Sequence, residues 1–257
     1  MKNGSLLPRR LRGFMLGRIK SLGRIKSRVG RQMPLSRILR IVRETYGFAD
    51  ATHNFPDTWR FPTPQTTSRK ILRSLERSLT YGEIDPKSLY RALASLRLRR
   101  DDVVADLGSG SGKVVLQAAL QSNCRKVVGV ELIDDRYEDA RRGHANLMLK
   151  MPEVARRITF IKDDFLKADL SDVTVAYMAN KVFDENLPND VLIMLQNLPN
   201  LRAVVCMDAL CHRHNDLCHK LRRDCAYFYE NFKQRMTGRC DVSWSKGSPL
   251  LVYTLRH

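Results

Sequence analysis

An α/β fold is predicted for this chain: a seven-stranded, mostly parallel sheet with helices on both faces and a C-terminal antiparallel hairpin. Three observations predict it. First, Val103-Val104-Ala105-Asp106-Leu107 reads as a buried strand. It runs into Gly108-Ser109-Gly110-Ser111-Gly112 and then a segment from Lys113 whose apolar positions recur at helical spacing. Second, short apolar runs rich in β-branched residues follow at 127–131, 158–161 and 203–207, the pattern of strands covered on both faces. Third, 240–244 and 250–255 flank Lys246-Gly247-Ser248-Pro249 as a terminal hairpin.

Length and composition permit this architecture. The 257 residues are 43% hydrophobic, enough for one sizeable core. No apolar stretch approaches the roughly twenty residues of a membrane span, so a soluble chain is expected. Six cysteines, Cys124, Cys206, Cys211, Cys218, Cys225 and Cys240, are too sparse for a disulfide scaffold and read as thiols.

Charge divides the chain. Of the net +18, thirteen Lys or Arg fall within residues 1–43, which hold no acid; Glu44 is the first. Residues 1–43 are therefore read as a basic, disordered arm, 44–98 as a helical lead-in, and 99–257 as the catalytic core. The arm suits nucleic-acid phosphates, whose counterions it would release. An Arg-rich, acid-free N-terminus with Ser and scattered apolar residues also fits a mitochondrial targeting peptide, and a merely solvated tail is the third reading.

In the lead-in, residues 53–67 are rich in Pro and Thr and predict an irregular connection. Ile71, Leu72, Leu75 and Leu79 form a helical stripe capped by Ser68. Tyr81-Gly82-Glu83-Ile84 follows as a loop, and Asp85-Pro86 opens a second helix through Leu96, with Asp at the cap and Pro in the first turn.

The glycine turn is the chemical centre. Alternate glycines let a backbone approach a ligand, as in dinucleotide and S-adenosylmethionine loops. A pyrophosphate favours an uncluttered helix N-terminus, but here Asp106 precedes the turn, and a carboxylate suits the amino group of a methionine moiety better than a phosphate. Glu131 ends the second strand, where an acid can accept both ribose hydroxyls. Asp164 and Phe165 follow the third, where an acid and an aromatic can meet an adenine. S-adenosylmethionine is the expected cofactor.

The order Tyr81-Gly82-Glu83, then Asp106-Leu107-Gly108-Ser109-Gly110-x-Gly112 with Val114-Val115-Leu116-Gln117, then Gly129-Val130-Glu131, Asp164-Phe165, and an asparagine at a strand end followed by Phe183 resembles one family. That family is the disruptor-of-telomeric-silencing (Dot) family of non-SET histone lysine methyltransferases, and the likeness covers roughly residues 70–210. It implies a Rossmann-like class I methyltransferase fold. It further implies that Tyr81, Gly82, Glu83 and Ile84 lie over the methionine part of the cofactor and that the loop from Val104 to Lys113, with Gly108, Gly110 and Gly112, lies beneath it. Gln117 would point toward the core, Glu131 would hold the ribose, and Asp164 with Phe165 the adenine. Asn180, Phe183 and Tyr81 would form the catalytic end. The family carries paired asparagines and two spaced aromatics there; this chain has one asparagine, and Lys181 stands where the first aromatic is expected.

Lysine methylation asks for alignment and desolvation rather than a strong base, since an apolar channel lowers the amine's pKa. A core histone in nucleosomes, gripped through DNA by the arm in the nucleus, is the expected partner. A protein or RNA substrate, for example in the mitochondrion, is the alternative, and a non-catalytic binding module is the third. No Asn-Pro-Pro-Tyr or Asp-Pro-Pro-Tyr run for base amino-methylation occurs. Cys211, His214, Cys218, Leu221 and Cys225 recur every three or four residues or at their multiples, which reads as the buried stripe of one helix and not as a metal site. Tyr227-Phe228-Tyr229 reads as packing.

Overall fold

The computed structural model describes residues 32–47, 83–182, 187–211, 214, 216–221, 223–242 and 245–256. Residues 1–31 of the expected arm, the connection and helix expected over 53–79, and Tyr81, Gly82 and Phe183 lie outside the described residues.

The strands are β1 (Val103–Leu107), β2 (Lys126–Glu131), β3 (Ile158–Lys162), β4 (Val175–Met178), β5 (Ala203–Cys206), β6 (Phe232–Val242) and β7 (Ser245–Leu255). They form one sheet in the order β3-β2-β1-β4-β5-β7-β6, parallel through β5, with β7 antiparallel to both β5 and β6. This is the expected Rossmann-like class I order. The chain winds outward from β1 to β3 and then resumes on the other side at β4, which opens a crevice at the carboxyl ends of β1 and β4, where α/β sheets bind ligands.

Burial on both faces explains the strand sequences. One face holds Val104, Val127, Val175, Tyr177 and Val205 under α1 (Leu35–Tyr46), α2 (Pro86–Ser95), α3 (Lys113–Gln121), α4 (Asp134–Lys150) and α5 (Pro152–Ala155). The other holds Ala105, Val128, Ala176, Val204 and Tyr253 under α6 (Leu187–Gln196), α7 (Asp216–Lys220) and α8 (Asp224–Asn231). At the base of the sheet, Asp102 Oδ1 accepts from Arg202 Nε at 2.7 Å and from Thr174 Oγ1 at 2.8 Å, joining the starts of β1, β4 and β5. Asp85 caps α2 as expected, its Oδ2 accepting from Ser88 N at 2.8 Å.

Two expectations need correction. The arm does not extend to residue 43: residues 35–43 belong to α1, which buries Ile38, Ile41, Val42 and Thr45 at helical spacing and ends on Gly47 in the left-handed region at φ 77°. Its basic residues lie on the other side, with Arg37 and Arg40 exposed. Nor is Lys246-Gly247-Ser248-Pro249 the hairpin turn, since it lies within β7. Register shifts between Met236 and Gly238 and between Cys240 and Val242 let β6 and β7 carry turn-type residues as bulges. Pro249 lies opposite Arg239 of β6 and beyond the stretch of β7 that pairs with β5, which reaches no further than Leu251.

Candidate active site

The glycine turn crosses the carboxyl end of β1 in a conformation that demands glycine. Gly108, Gly110 and Gly112 have φ of 85°, 54° and 82°. The N–H groups of Gly108 and Ser109 both donate to Val130 O at 2.9 Å, stitching the turn to β2. A side chain at Gly112 would meet the Phe160 ring at 2.5 Å, so the helix that follows sits close against β3.

Glu131 completes the turn from the next strand. Its Oε2 accepts from Gly110 N at 2.7 Å and its Oε1 from Ile133 N at 2.9 Å, which leaves each oxygen a lone pair for a ligand hydroxyl. Burial raises its carboxyl above the usual range, against the pull of Arg136 and of these backbone donors. Asp106 lies opposite Gly129 and Tyr177 in the sheet register. It is buried, no described residue donates to its carboxylate, and burial together with Glu131 holds its carboxyl well above the usual range. Two further polar atoms nearby, Ser109 Oγ and Tyr177 OH, are buried and have no hydrogen-bond partner among the described residues.

Such a group of orphaned polar atoms fits an adenosyl amino-acid ligand. An unpaired buried carboxylate is costly alone and complements a cation. Glu131 offers two acceptor oxygens, and the turn leaves room where Gly108 has nothing within 4 Å of its missing side chain.

The lead-in packs beside the turn. Ile84 bridges Val242 and Asp85 N donates to Asp241 O at 2.7 Å, pinning the start of α2 to the end of β6. Glu83 forms an ion pair with Lys113 at the first turn of α3. Burial lowers the Lys113 ammonium to about 8 despite the opposing pull of Glu83. Gln117 serves the lead-in too: its Nε2 donates to Pro86 O at 2.8 Å and fastens α2 to α3.

At the end of β3, Asp163 N donates to Glu131 O at 3.2 Å, and Asp164 Oδ1 accepts from Leu166 N at 3.0 Å. Phe165 is buried in the second core beside it. At the end of β4, Asn180 is a buried clamp. Its Oδ1 accepts from Met207 N and Asp208 N, both at 2.9 Å, and its Nδ2 donates to Asp208 O at 2.9 Å. These three bonds fix the turn after β5. Lys181 beside it is exposed.

Sequence reading missed the contribution of α1. Tyr46 OH donates to Ser111 O at 2.6 Å, so the last turn of α1 supports the glycine turn from outside. Its ring lies over Gly143 of α4, where an added side chain would meet it at 2.7 Å. That pairing of Tyr46 with Gly143 spans too much sequence for any local pattern to reveal it. The single-helix stripe of cysteines is also overturned. Cys211 precedes α7, Cys218 lies on α7 and Cys225 on α8, two separate helices, and Leu221 between them is 54% exposed.

An RNA methyltransferase structure from Salinibacter ruber, in complex with S-adenosyl-L-homocysteine, is similar over 77% of this chain and 95% of its own, at TM-score 0.42 and 21% identity. A protein-lysine N-methyltransferase from Saccharolobus islandicus is 36% identical over 98 residues, 38% of this chain and 58% of that protein. A Caenorhabditis elegans histone-lysine N-methyltransferase, H3 lysine-79 specific, is 30% identical over 122 residues, 46% of this chain and 13% of its own length. The chain thus aligns with little more than half of the protein-lysine N-methyltransferase and a small part of the histone-lysine N-methyltransferase. The family model described as histone methylation protein DOT1 matches residues 70–254, from the lead-in to the last strand, and the chain belongs to that family.

Proposed function

We propose that the chain transfers a methyl group from S-adenosylmethionine to the side-chain amine of a protein lysine, with a core-histone lysine in nucleosomes as substrate. The observation that carries this reading is the pair of buried acids, Asp106 and Glu131, bracketing a three-glycine turn in a chain of the DOT1 family.

The donor, when bound, supplies a sulfonium-activated methyl group. Asp106 would face its cationic amino-acid part, Glu131 its ribose hydroxyls, and Asp164 with Phe165 its adenine. The Glu83–Lys113 pair ties the covering segment to α3 and keeps water from the methionine side. Asn180 holds the wall at the ends of β4 and β5 where the acceptor would enter, and the family resemblance assigns Tyr81 and Phe183, which lie outside the described residues, to the catalytic end. Desolvation there favours the neutral lysine amine, so attack needs alignment rather than a strong base.

The basic stretch at the N-terminus supports a nucleosomal partner and a nuclear location. Residues 1–31 carry ten Lys or Arg and no acid, and Arg37 and Arg40 continue the positive charge along the exposed side of α1. Phosphate neutralisation by these groups would make turnover sensitive to salt.

Transfer of radiolabelled methyl to nucleosomes, free histones, total RNA and mitochondrial extract, side by side, tests the proposal with Gly110→Arg as control. Label in nucleosomal histone, reduced by salt or by removal of residues 1–31, is expected. Label in the RNA or mitochondrial lane alone would replace the substrate assignment.

A further inference from the structure

The segment joining β5 to β6 brings three thiols to one point. Cys211 follows β5, Cys218 lies on α7 and Cys225 on the first turn of α8, and their Sγ atoms all lie within 4.8 Å of one another. No disulfide links them. Cys218 and Cys225 are buried and Cys211 is half-buried.

Apolar packing alone does not call for three sulfurs in contact, because alanine or valine would fill such space without a reactive group. Sulfurs on a tetrahedral zinc ion, at a Zn–S distance of about 2.3 Å, lie about 3.8 Å apart. Side-chain adjustments of about 1 Å or less would therefore close these thiols around one cation.

A candidate for the fourth ligand lies in the same segment, outside this group of three. His214 lies between Cys211 and Cys218 in sequence, and its Nδ1 is buried with no hydrogen-bond partner among the described residues. Its ring stacks on Tyr229 of α8 at 4.0 Å, which holds it beside the helix that carries Cys225. A buried imidazole nitrogen without a partner calls for a ligand. The order Cys-x2-His-x3-Cys-x6-Cys supplies a Cys3His donor set, one of the recurrent closed sets of structural zinc.

We propose that Cys211, Cys218 and Cys225 bind one zinc ion as thiolates, with the imidazole of His214 turning in from outside the group as the fourth ligand. Binding converts three thiols to thiolates and releases their protons to water, while the histidine coordinates as the neutral ring. The role is structural. Helix α7 has five residues and α8 eight, lengths that do not hold a helix by themselves. A metal there would fasten both to the segment that leaves the Asn180-clamped turn at Asp208.

The test uses the full chain, expressed with zinc in the medium and purified without chelators. One zinc per chain by elemental mass spectrometry is expected, with loss in Cys218→Ser and Cys225→Ser and retention in Cys124→Ser. Because the serine variants can fail to fold, cobalt loading of the unaltered chain gives a second measurement. A thiolate-to-cobalt charge-transfer band with tetrahedral ligand-field bands is expected, and His214→Ala should shift the ligand-field bands while keeping the charge-transfer band. A folded, unaltered chain that takes up neither metal overturns the proposal. So does thiol titration that finds two of the three cysteines joined in a disulfide.

Discussion

Gly110 donates its backbone N–H to Glu131 Oε2 at 2.7 Å, so the middle of the glycine turn is held by the same carboxylate that would receive the ribose. Ligand site and loop conformation are one unit. Glu131→Ala leaves Gly110 N and Ile133 N without their acceptor, a cost of about 1 to 3 kcal/mol for each donor that stays buried. Donor affinity measured by calorimetry should fall by about tenfold to a hundredfold or more. Unchanged affinity would remove Glu131 from the site.

Asp106 trades stability for binding. Because burial and Glu131 hold its carboxyl well above 3.8, the folded chain keeps a proton that the unfolded chain gives up. Stability therefore falls as pH rises from 3.8 through the raised value and stays low above it. Asp106→Asn has no proton to lose. In thermal melts of the ligand-free protein it should equal the unaltered chain in acid and exceed it increasingly as pH rises, while binding the donor at least tenfold more weakly.

Lys113 gives a signature on the alkaline side. Burial lowers its ammonium from 10.5 to about 8, with Glu83 opposing that shift. Between those values the unfolded chain binds the proton and the folded chain does not, so this group makes stability rise with pH across that window. Lys113→Met should abolish the rise. Melting curves at closely spaced pH values would show it, and an identical slope in the variant would mean that the lysine stays charged in the fold.

Asn180→Ala removes the acceptor for Met207 N and Asp208 N together. The expected loss is about 2 kcal/mol or more, read as a fall of roughly 4 °C or more in the melting temperature. Turnover on the proposed lysine substrate should drop further than donor affinity, because the displaced turn borders the proposed acceptor entry. Full activity with an unchanged melting temperature would contradict the clamp.

Helix α1 is testable as core. Ile38 is fully buried beneath it, so Ile38→Ala should cost about 2 to 5 kcal/mol in denaturant unfolding. A solvated arm would tolerate the same change with no measurable loss.

The parts legible in sequence were those whose signal is local. Strands β1, β2 and β5 are buried on both faces and read as β-branched runs, and the three glycines sit at positions of positive φ that few other residues adopt. Asp85 and Pro86 marked the start of α2 by their own chemistry. Helix α1 was hidden because its Ile38, Ile41 and Val42 are interleaved with Arg37, Arg40 and Arg43, and the charge count outweighed the spacing. The cysteine segment misled for the opposite reason. Its spacing matched one helix, and nothing local marked the break around Leu221 that separates α7 from α8. Tyr46 and Ser111 meet only through the fold.

The outermost strand governs how this molecule behaves among its own copies. A long, regular edge strand is a template for another chain, because its unpaired N–H and C=O groups can be matched by any extended segment. Strand β6 spans Phe232–Val242, long enough to invite such growth, yet it exposes Lys233, Arg235 and Arg239 and twice slips its register. Like charges facing like charges, along a backbone that does not stay flat, make an eighth strand from a neighbour unfavourable. The same irregularity that lets the hairpin absorb Gly238 and Pro249 thus protects the protein from edge-to-edge aggregation, and a β6 straightened and stripped of its bases should precipitate at concentrations where the natural chain remains dispersed.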